Sequence, residues 1–172
     1  MIVVCKLRQK WAFALFSTFF FLLTACGKPA AGPVDQAAEA LGREAQSLSL
    51  GWLESAAHEA STNEVRQAIE DVQNILAASN IASPPSAYSE TCNDSKGRFT
   101  AAFVTKAASD IYVCSASKRL GKVFLAQVLI HEALHLGGIT DECEVTRLEI
   151  EIMTSAMRIP YKNAYVTQCG LD

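Results

Sequence analysis

The sequence predicts an α+β domain that is mainly helical, with one short β-hairpin placed just before a central buried helix. Three observations support this fold class. Residues 34–79 are rich in helix-forming side chains, residues 99–114 hold two short aromatic and β-branched runs, and residues 122–136 contain no Pro or Gly and almost no charge. About 140 residues outside the N-terminal segment suffice for one domain with its own core.

The first half of the domain is predicted to be helical. Residues 34–60 are rich in Ala, Glu, Gln and Leu, and Gly42 and Gly51 favour one long broken helix or two short ones. The sequence Ser-Thr-Asn-Glu at 61–64 is a capping box, which predicts the start of the next helix. Its apolar residues recur every three or four positions, and the helix should end near 79–80, before a pair of prolines: Val65, Ala68, Ile69, Val72, Ile75 and Leu76.

The second half of the chain predicts a hairpin followed by two helices. Residues 99–104 and 111–114 fit two antiparallel strands joined by a loop. Residues 120–136 form a helix that is apolar on nearly every face, so we expect it at the centre of the domain. Two glycines end it, and Thr140 is the expected N-cap of a last helix over 141–157.

The N-terminus has the charge order of a secretory signal. Three basic residues precede the apolar run 11–23, which is too short to span a bilayer comfortably. The run ends in Leu-Thr-Ala-Cys at 23–26, which resembles the lipobox of bacterial lipoproteins. That resemblance implies cleavage before Cys26 and attachment of lipid to its thiol.

We therefore expect a lipoprotein signal peptide at 1–25, a lipidated Cys with a flexible tether at 26–34, and a single domain at 35–172. The expected location is the bacterial cell envelope, where the chain is lipid-anchored. If the cell is Gram-negative, the expected position is the periplasmic face or the outer membrane. Three of the 15 basic residues and none of the 18 acidic ones lie in the signal, so 12 basic residues face 18 acidic ones in the rest. This balance, without any basic run, excludes nucleic acid as the expected partner.

Four further cysteines agree with export. Cys92, Cys114, Cys143 and Cys169 form an even set, which favours two disulfides in an oxidising compartment. Three pairings are possible from the sequence. We prefer Cys92 with Cys114 and Cys143 with Cys169, because each pair joins neighbouring segments of the expected fold. No Cys-x-x-Cys pair is present, so a cysteine zinc site is disfavoured.

The central helix carries the pattern His131-Glu132-Ala133-Leu134-His135. Residues four apart lie one turn above each other on a helix, so both imidazoles can bind one metal ion. Glu132 is rotated by roughly 100° from His131 and flanks the metal. Two ordinary core histidines are the alternative. Two observations favour the metal site over this alternative: two of the three histidines fall in the motif, and the residues that flank the motif are uncharged.

The chain resembles the zincin metallopeptidases over residues 111–153, which is less than a third of its length. The resemblance implies that His131 and His135 bind Zn2+ and that Glu132 activates the attacking water. The third ligand stays open. The metzincin pattern nominates Asp141, towards which we lean, and the gluzincin pattern nominates Glu142, with Glu144 as a third choice. These acids could instead simply favour the start of the next helix.

The resulting hypothesis is a zinc-dependent hydrolase, a peptidase, acting on a peptide or protein at the cell envelope. By the same resemblance, an exposed strand edge at 111–113 would align an extended peptide. Tyr161 or Tyr165 is a candidate oxyanion donor, and ordinary packing is the alternative role for both. The alternative is a non-catalytic zinc-binding or structural envelope lipoprotein. A helical lipoprotein without metal is the third possibility.

Overall fold

The computed structural model describes residues 34–92, 100–105, 109–158 and 165–171. Over these residues the chain forms five α-helices and a three-stranded sheet, which confirms the predicted α+β, mainly helical fold class. The predicted signal peptide, Cys26 and nearly all of the predicted tether lie outside the described residues. Within the described part, no helix combines the length and the apolar character needed to cross a bilayer.

Helix α1 (Gln36–Glu59) is one continuous helix, so the expected break at its glycines is wrong. Gly42 lies where the helix crosses the sheet. A Cβ there would lie 2.6 Å from Ile81 Cγ2 and 3.0 Å from Val113 Cγ2. Only a residue without a side chain permits this approach, so Gly42 serves helix packing rather than helix termination.

Helix α2 (Asn63–Ala78) has the predicted buried face, formed by four of the expected apolar residues. Its N-cap is Thr62, whose hydroxyl accepts a hydrogen bond from the Val65 N–H at 3.1 Å. The cap therefore lies one residue later than the predicted box, which began at Ser61. The four buried residues are Val65, Ile69, Val72 and Leu76.

The sheet has the strand order β1-β3-β2, with β1 at Asn80–Ala82, β2 at Ala102–Val104 and β3 at Asp110–Val113. Strands β2 and β3 are antiparallel, which confirms the predicted hairpin. Strand β1 runs parallel to β3 and was not predicted, because three residues are too few to show an alternating pattern. Since β3 is central and β2 is an edge strand, the expectation of an edge at 111–113 is wrong.

Helices α4 (Gly121–Leu136) and α5 (Glu142–Met157) complete the domain, after a short helix α3 (Ser89–Cys92). Helix α4 packs against α1, α2, α5 and β2, in agreement with its predicted central place. Helix α5 begins after Asp141, so the expected N-cap Thr140 is wrong by one residue. The core of α4 is wholly aliphatic: Leu125, Ala126, Leu129, Ile130, Ala133 and Leu134.

The structure contains both expected disulfides, Cys92–Cys114 and Cys143–Cys169. The first is buried among aromatic rings, with Cys114 fully buried beside Phe103 and Tyr112. The second joins the first turn of α5 to the C-terminal segment 165–171. The two bonds therefore hold the hairpin to the preceding helix and the chain end to α5.

We expect the double substitution of Cys92 and Cys114 by Ala to lower the free energy of unfolding by about 2–4 kcal/mol, because the crosslink restricts the unfolded chain. The measurement is denaturant unfolding of the exported protein, with the Cys143→Ala/Cys169→Ala variant beside it. Since the two loops span 22 and 26 residues, the two variants should lose similar free energy. An unchanged unfolding midpoint in both variants would contradict the expectation.

Candidate functional site

The two motif histidines and Glu142 meet between α4 and α5. The rings of His131 and His135 lie with centroids 4.9 Å apart, as expected for positions four apart on one helix. The Glu142 carboxylate lies across both rings: Oε2 is 3.3 Å from His131 Nε2 and Oε1 is 3.3 Å from His135 Nε2. The structure therefore brings together two imidazoles and one carboxylate.

The other nitrogen of each ring has its own partner. His131 Nδ1 lies 3.1 Å from Glu149 Oε2, and His135 Nδ1 lies 2.8 Å from the Ile139 carbonyl oxygen. Both partners are oxygen acceptors, so each Nδ1 carries a proton and donates it. In the neutral ring this leaves the lone pair on Nε2, the atom beside Glu142. The ligand atoms of the three residues all lie within 4.8 Å of one another.

Glu149 is the site residue that the sequence reasoning missed. Its side chain is only 5% exposed, and it follows Glu142 by seven residues, which returns it to the same helix face two turns later. Burial opposes the charged form of His131. Even so, the hydrogen bond and negative charge of Glu149, together with Glu132 and Glu142, raise the pKa of His131 above its usual value. The available signal was a carboxylate within the apolar face of α5.

Asp141 lies outside the histidine cluster, although it was the favoured third ligand. Its Oδ1 accepts hydrogen bonds from the backbone N–H groups of Cys143 at 3.1 Å and Glu144 at 2.9 Å. The carboxylate thus caps α5, because it accepts hydrogen bonds from N–H groups of the first turn that have no partner within the helix. Glu144 is exposed and is not part of the cluster either. Of the three candidate acids, the structure brings only Glu142 to the histidines.

Glu132 lies beside the histidines, against strand β2. The Val104 backbone N–H donates a hydrogen bond to its carboxylate. Burial raises the pKa of Glu132 to about 7, and the charges of Glu142 and Glu149 add to this effect, while His131 and Val104 oppose it. A carboxyl group with this pKa exchanges protons near neutral pH.

An open cavity of about 720 Å³ contains these groups. Its walls come from β2, the C-terminal half of α4, the turn after α4 and Tyr165. The Tyr165 ring stacks on His131, with centroids 6.2 Å apart and 20° between the planes. Tyr165 thus faces the cluster, and Tyr161 lies outside the described residues. Two histidines and two carboxylates line the cavity: His131, His135, Glu132 and Glu142.

The edge strand β2 borders this cavity through Ala102, Phe103 and Val104, of which Val104 is partly exposed. The Cys114 N–H donates a hydrogen bond to the Ala101 carbonyl at 2.9 Å, so Ala101 and Cys114 are a hydrogen-bonded pair. Hydrogen-bonded and non-hydrogen-bonded pairs alternate along an antiparallel ladder, so the pairs that contain Ala102 and Val104 are not hydrogen-bonded to β3. By this alternation Ala102 and Val104 direct their N–H and C=O groups away from β3. The hydrogen bond from the Val104 N–H to the Glu132 carboxylate agrees with that orientation.

Comparison of the chain with protein-family models, with curated proteins and with solved structures finds no match. The function of the chain is therefore inferred from the geometry of the cluster, the cavity and the edge strand.

Proposed function

We propose that the chain is a zinc-dependent hydrolase that cleaves peptides, with Zn2+ held by His131, His135 and Glu142. The observation that carries the proposal is the arrangement of the two rings. Each Nδ1 is occupied by an oxygen acceptor, and both Nε2 atoms lie 3.3 Å from one carboxylate. Two imidazoles and one carboxylate, with a fourth position left open, are the donor set of many catalytic zinc sites.

The charges around the cluster support a bound cation. Glu132, Glu142 and Glu149 all act on the same small region, and their mutual repulsion contributes to the raised pKa of Glu132. A divalent ion would offset this negative charge. Glu149 would orient His131 through Nδ1, in the role that outer-shell carboxylates have at zinc sites.

Catalysis, rather than a structural role for the metal, is supported by Glu132. A structural site needs no carboxylate beside its ligands, and structural zinc is usually closed by four protein ligands. When bound, zinc would supply Lewis-acid chemistry, lowering the pKa of water towards about 7 and polarising a scissile carbonyl. Glu132 would accept the proton of the attacking water and pass it to the leaving amine.

Strand β2 would hold the substrate. An extended peptide can add to an open sheet edge through backbone hydrogen bonds. Val104 and Thr105, at the end of β2, are partly exposed and line the cavity that contains Glu132, whereas Ala102 is only 2% exposed. Backbone pairing makes few demands on side chains, so we expect the selectivity of the peptidase to depend on the cavity wall.

The proposal is tested by cleavage of a peptide library by the zinc-loaded mature protein. We expect hydrolysis that a chelator abolishes and added zinc restores. If the protein binds zinc stoichiometrically and cleaves no peptide, the non-catalytic zinc-binding alternative replaces the enzyme.

The lipobox supports attachment of the protein to the envelope through lipid on Cys26. Two disulfides suit a compartment outside the cytoplasm. We expect Cys26→Ser to abolish incorporation of labelled fatty acid, because the acceptor thiol is lost. The measurement is the amount of labelled fatty acid on the exported chain. A Cys5→Ser variant is the control and should remain labelled. Equal labelling of the Cys26→Ser variant and wild type would contradict lipid attachment.

We expect Glu149→Gln to weaken zinc affinity by about 10- to 100-fold, because the His131 ring would lose its charged orienting partner. Competition with a chelator measures the affinity. Glu151→Gln is the matched control, since Glu151 lies on the same helix but pairs with Arg147 instead. Equal affinities in the two variants would contradict a role for Glu149 at the metal.

A further inference from the structure

The point where the chain enters the domain is fixed against the turn that leads into α4. Asp35, the N-cap of α1, accepts bonds at Oδ2 from Lys118 Nζ at 2.6 Å and from Ser115 Oγ at 2.5 Å. The hydrogen bond from Lys118 is the main cause that lowers the pKa of Asp35 to about 2. The predicted tether at 26–34 therefore joins the domain beside residues 115–119.

Exposed apolar side chains lie close in sequence to this point. Among the described residues four large hydrophobic side chains are well exposed, and one of them is Tyr165 in the cavity. The other three are Val34, Val123 and Phe124, with exposed fractions of 61%, 54% and 46%. Val34 adjoins Asp35, and Val123 and Phe124 lie in the first turn of α4, shortly after Lys118.

Basic residues accompany them. Lys118, Arg119 and Lys122 are exposed and lie in the six positions before Phe124. Lys118 pairs with Asp35, and Lys122 Nζ lies 3.7 Å from Glu44 Oε2, so three cations stand against two carboxylates. These basic residues exceed their neighbouring carboxylates by one charge, whereas the chain as a whole is acidic.

We propose that Val34, Lys118, Arg119, Lys122, Val123 and Phe124 form a membrane-contact surface that rests on anionic lipid headgroups. Apolar side chains with flanking Lys and Arg are typical of surfaces that lie in the membrane interface. The proposal rests on the proposed lipid attachment at Cys26. Cys26 and Val34 are eight positions apart and therefore at most about 28 Å apart, so a lipidated Cys26 keeps this end of the domain near the bilayer.

The surface also constrains the candidate site. Phe124 precedes His131 by seven residues, which are two helical turns or about 11 Å along α4 and return to the same face. Docking of Phe124 at the headgroups would therefore hold the cavity close to the membrane surface. The substrate class that follows is peptide segments presented at the membrane surface, including the juxtamembrane parts of envelope proteins.

The test uses tryptophan quenching in vesicles that carry the mature lipidated protein. Trp52 is replaced by Phe, and a single tryptophan is placed by Phe124→Trp or, as the matched control, Ser61→Trp. Helix α1 has 24 residues, so Ser61 lies about 36 Å from the tether end of α1. The vesicles contain bromine-labelled phosphatidylcholine with or without phosphatidylglycerol, and flotation first establishes that the protein is attached.

We expect Phe124→Trp fluorescence to fall at least about twofold in phosphatidylglycerol vesicles, because an interfacial side chain sits about 5–10 Å into the headgroup boundary. Ser61→Trp should be unaffected, and Arg119→Glu with Lys122→Glu should reduce the quenching of Phe124→Trp. If the protein is attached to the vesicles and the tryptophans at both positions are quenched equally, the membrane-contact surface is overturned, while the lipid attachment stands. Protein that does not float with the vesicles would overturn the lipid attachment together with the surface, and neither result depends on zinc or hydrolysis.

Discussion

Glu132→Gln is expected to keep zinc bound and to reduce peptide hydrolysis by a factor of about 100 to 10,000, the usual contribution of a general base. Gln retains the shape of the side chain and can still accept the hydrogen bond from the Val104 N–H. It cannot take up a proton near neutral pH, which Glu132 can do because its pKa is about 7. The measurements are kcat/KM on the best library peptide and the zinc content of each variant.

Glu144→Gln is the matched control for this experiment. Glu144 lies near the site in sequence, but it is exposed and is not part of the histidine cluster. The control should therefore keep both zinc and activity. Full activity in Glu132→Gln would contradict the general-base role, and a loss of zinc in that variant would assign Glu132 to the metal instead.

Removal of a ligand is the second large effect that we expect. His131→Ala or His135→Ala should abolish stoichiometric zinc binding and, with it, hydrolysis, because a site with two remaining protein ligands lacks the minimum set. Glu142→Gln should weaken binding less than loss of a histidine, since its amide oxygen is a poorer ligand than a carboxylate. Zinc affinity is measured by competition with a chelator of known strength.

Two neighbouring acids provide the sharpest comparison. Asp141→Asn and Glu142→Gln remove the same charge one residue apart, and Asn caps a helix about as well as Asp. Asp141→Asn should therefore bind zinc like wild type, whereas Glu142→Gln should bind it more weakly. The reverse result would show that the Asp141 carboxylate, and not Glu142, completes the metal site.

The sequence predicted those parts of the fold that depend on local pattern. The spacing of apolar residues in α2 and the β-branched runs around β2 and β3 are local signals, and the structure confirms both elements. The motif helix was also predictable, since the uncharged stretch around His131 requires burial. Glu132 and the two histidines follow from the same motif, because the helical repeat alone sets their relative directions.

The choice between Asp141 and Glu142 depended on where α5 begins. Each residue turns a helix by roughly 100°, so a start one residue earlier presents a different acid to the histidines. The turn after α4 passes through Gly138 at φ 98°, and α5 begins only after the Asp141 carboxylate that caps it. Sequence spacing does not specify that conformation, and for the same reason Thr140 was expected as the cap.

Glu149 and β1 were not predicted because both depend on tertiary contacts, and the carboxylate within the apolar face of α5 does not by itself indicate its partner. Glu149 is buried because α5 crosses α4 at His131, and no local pattern gives that crossing. Strand β1 exists because Ile81 pairs beside Ile111 in the sheet, far away in sequence. The close approach of α1 to these strands at Gly42 likewise appears only in the folded chain.

The most direct test of the zinc site is the zinc content of the wild-type mature protein at neutral pH. The protein is loaded with zinc, freed of excess metal by gel filtration and analysed by mass spectrometry, beside the His131→Ala/His135→Ala variant. We expect one zinc ion per wild-type chain and none in the double variant. A wild-type protein without stoichiometric zinc, or a double variant that retains it, would contradict the assignment of His131, His135 and Glu142 as a metal site.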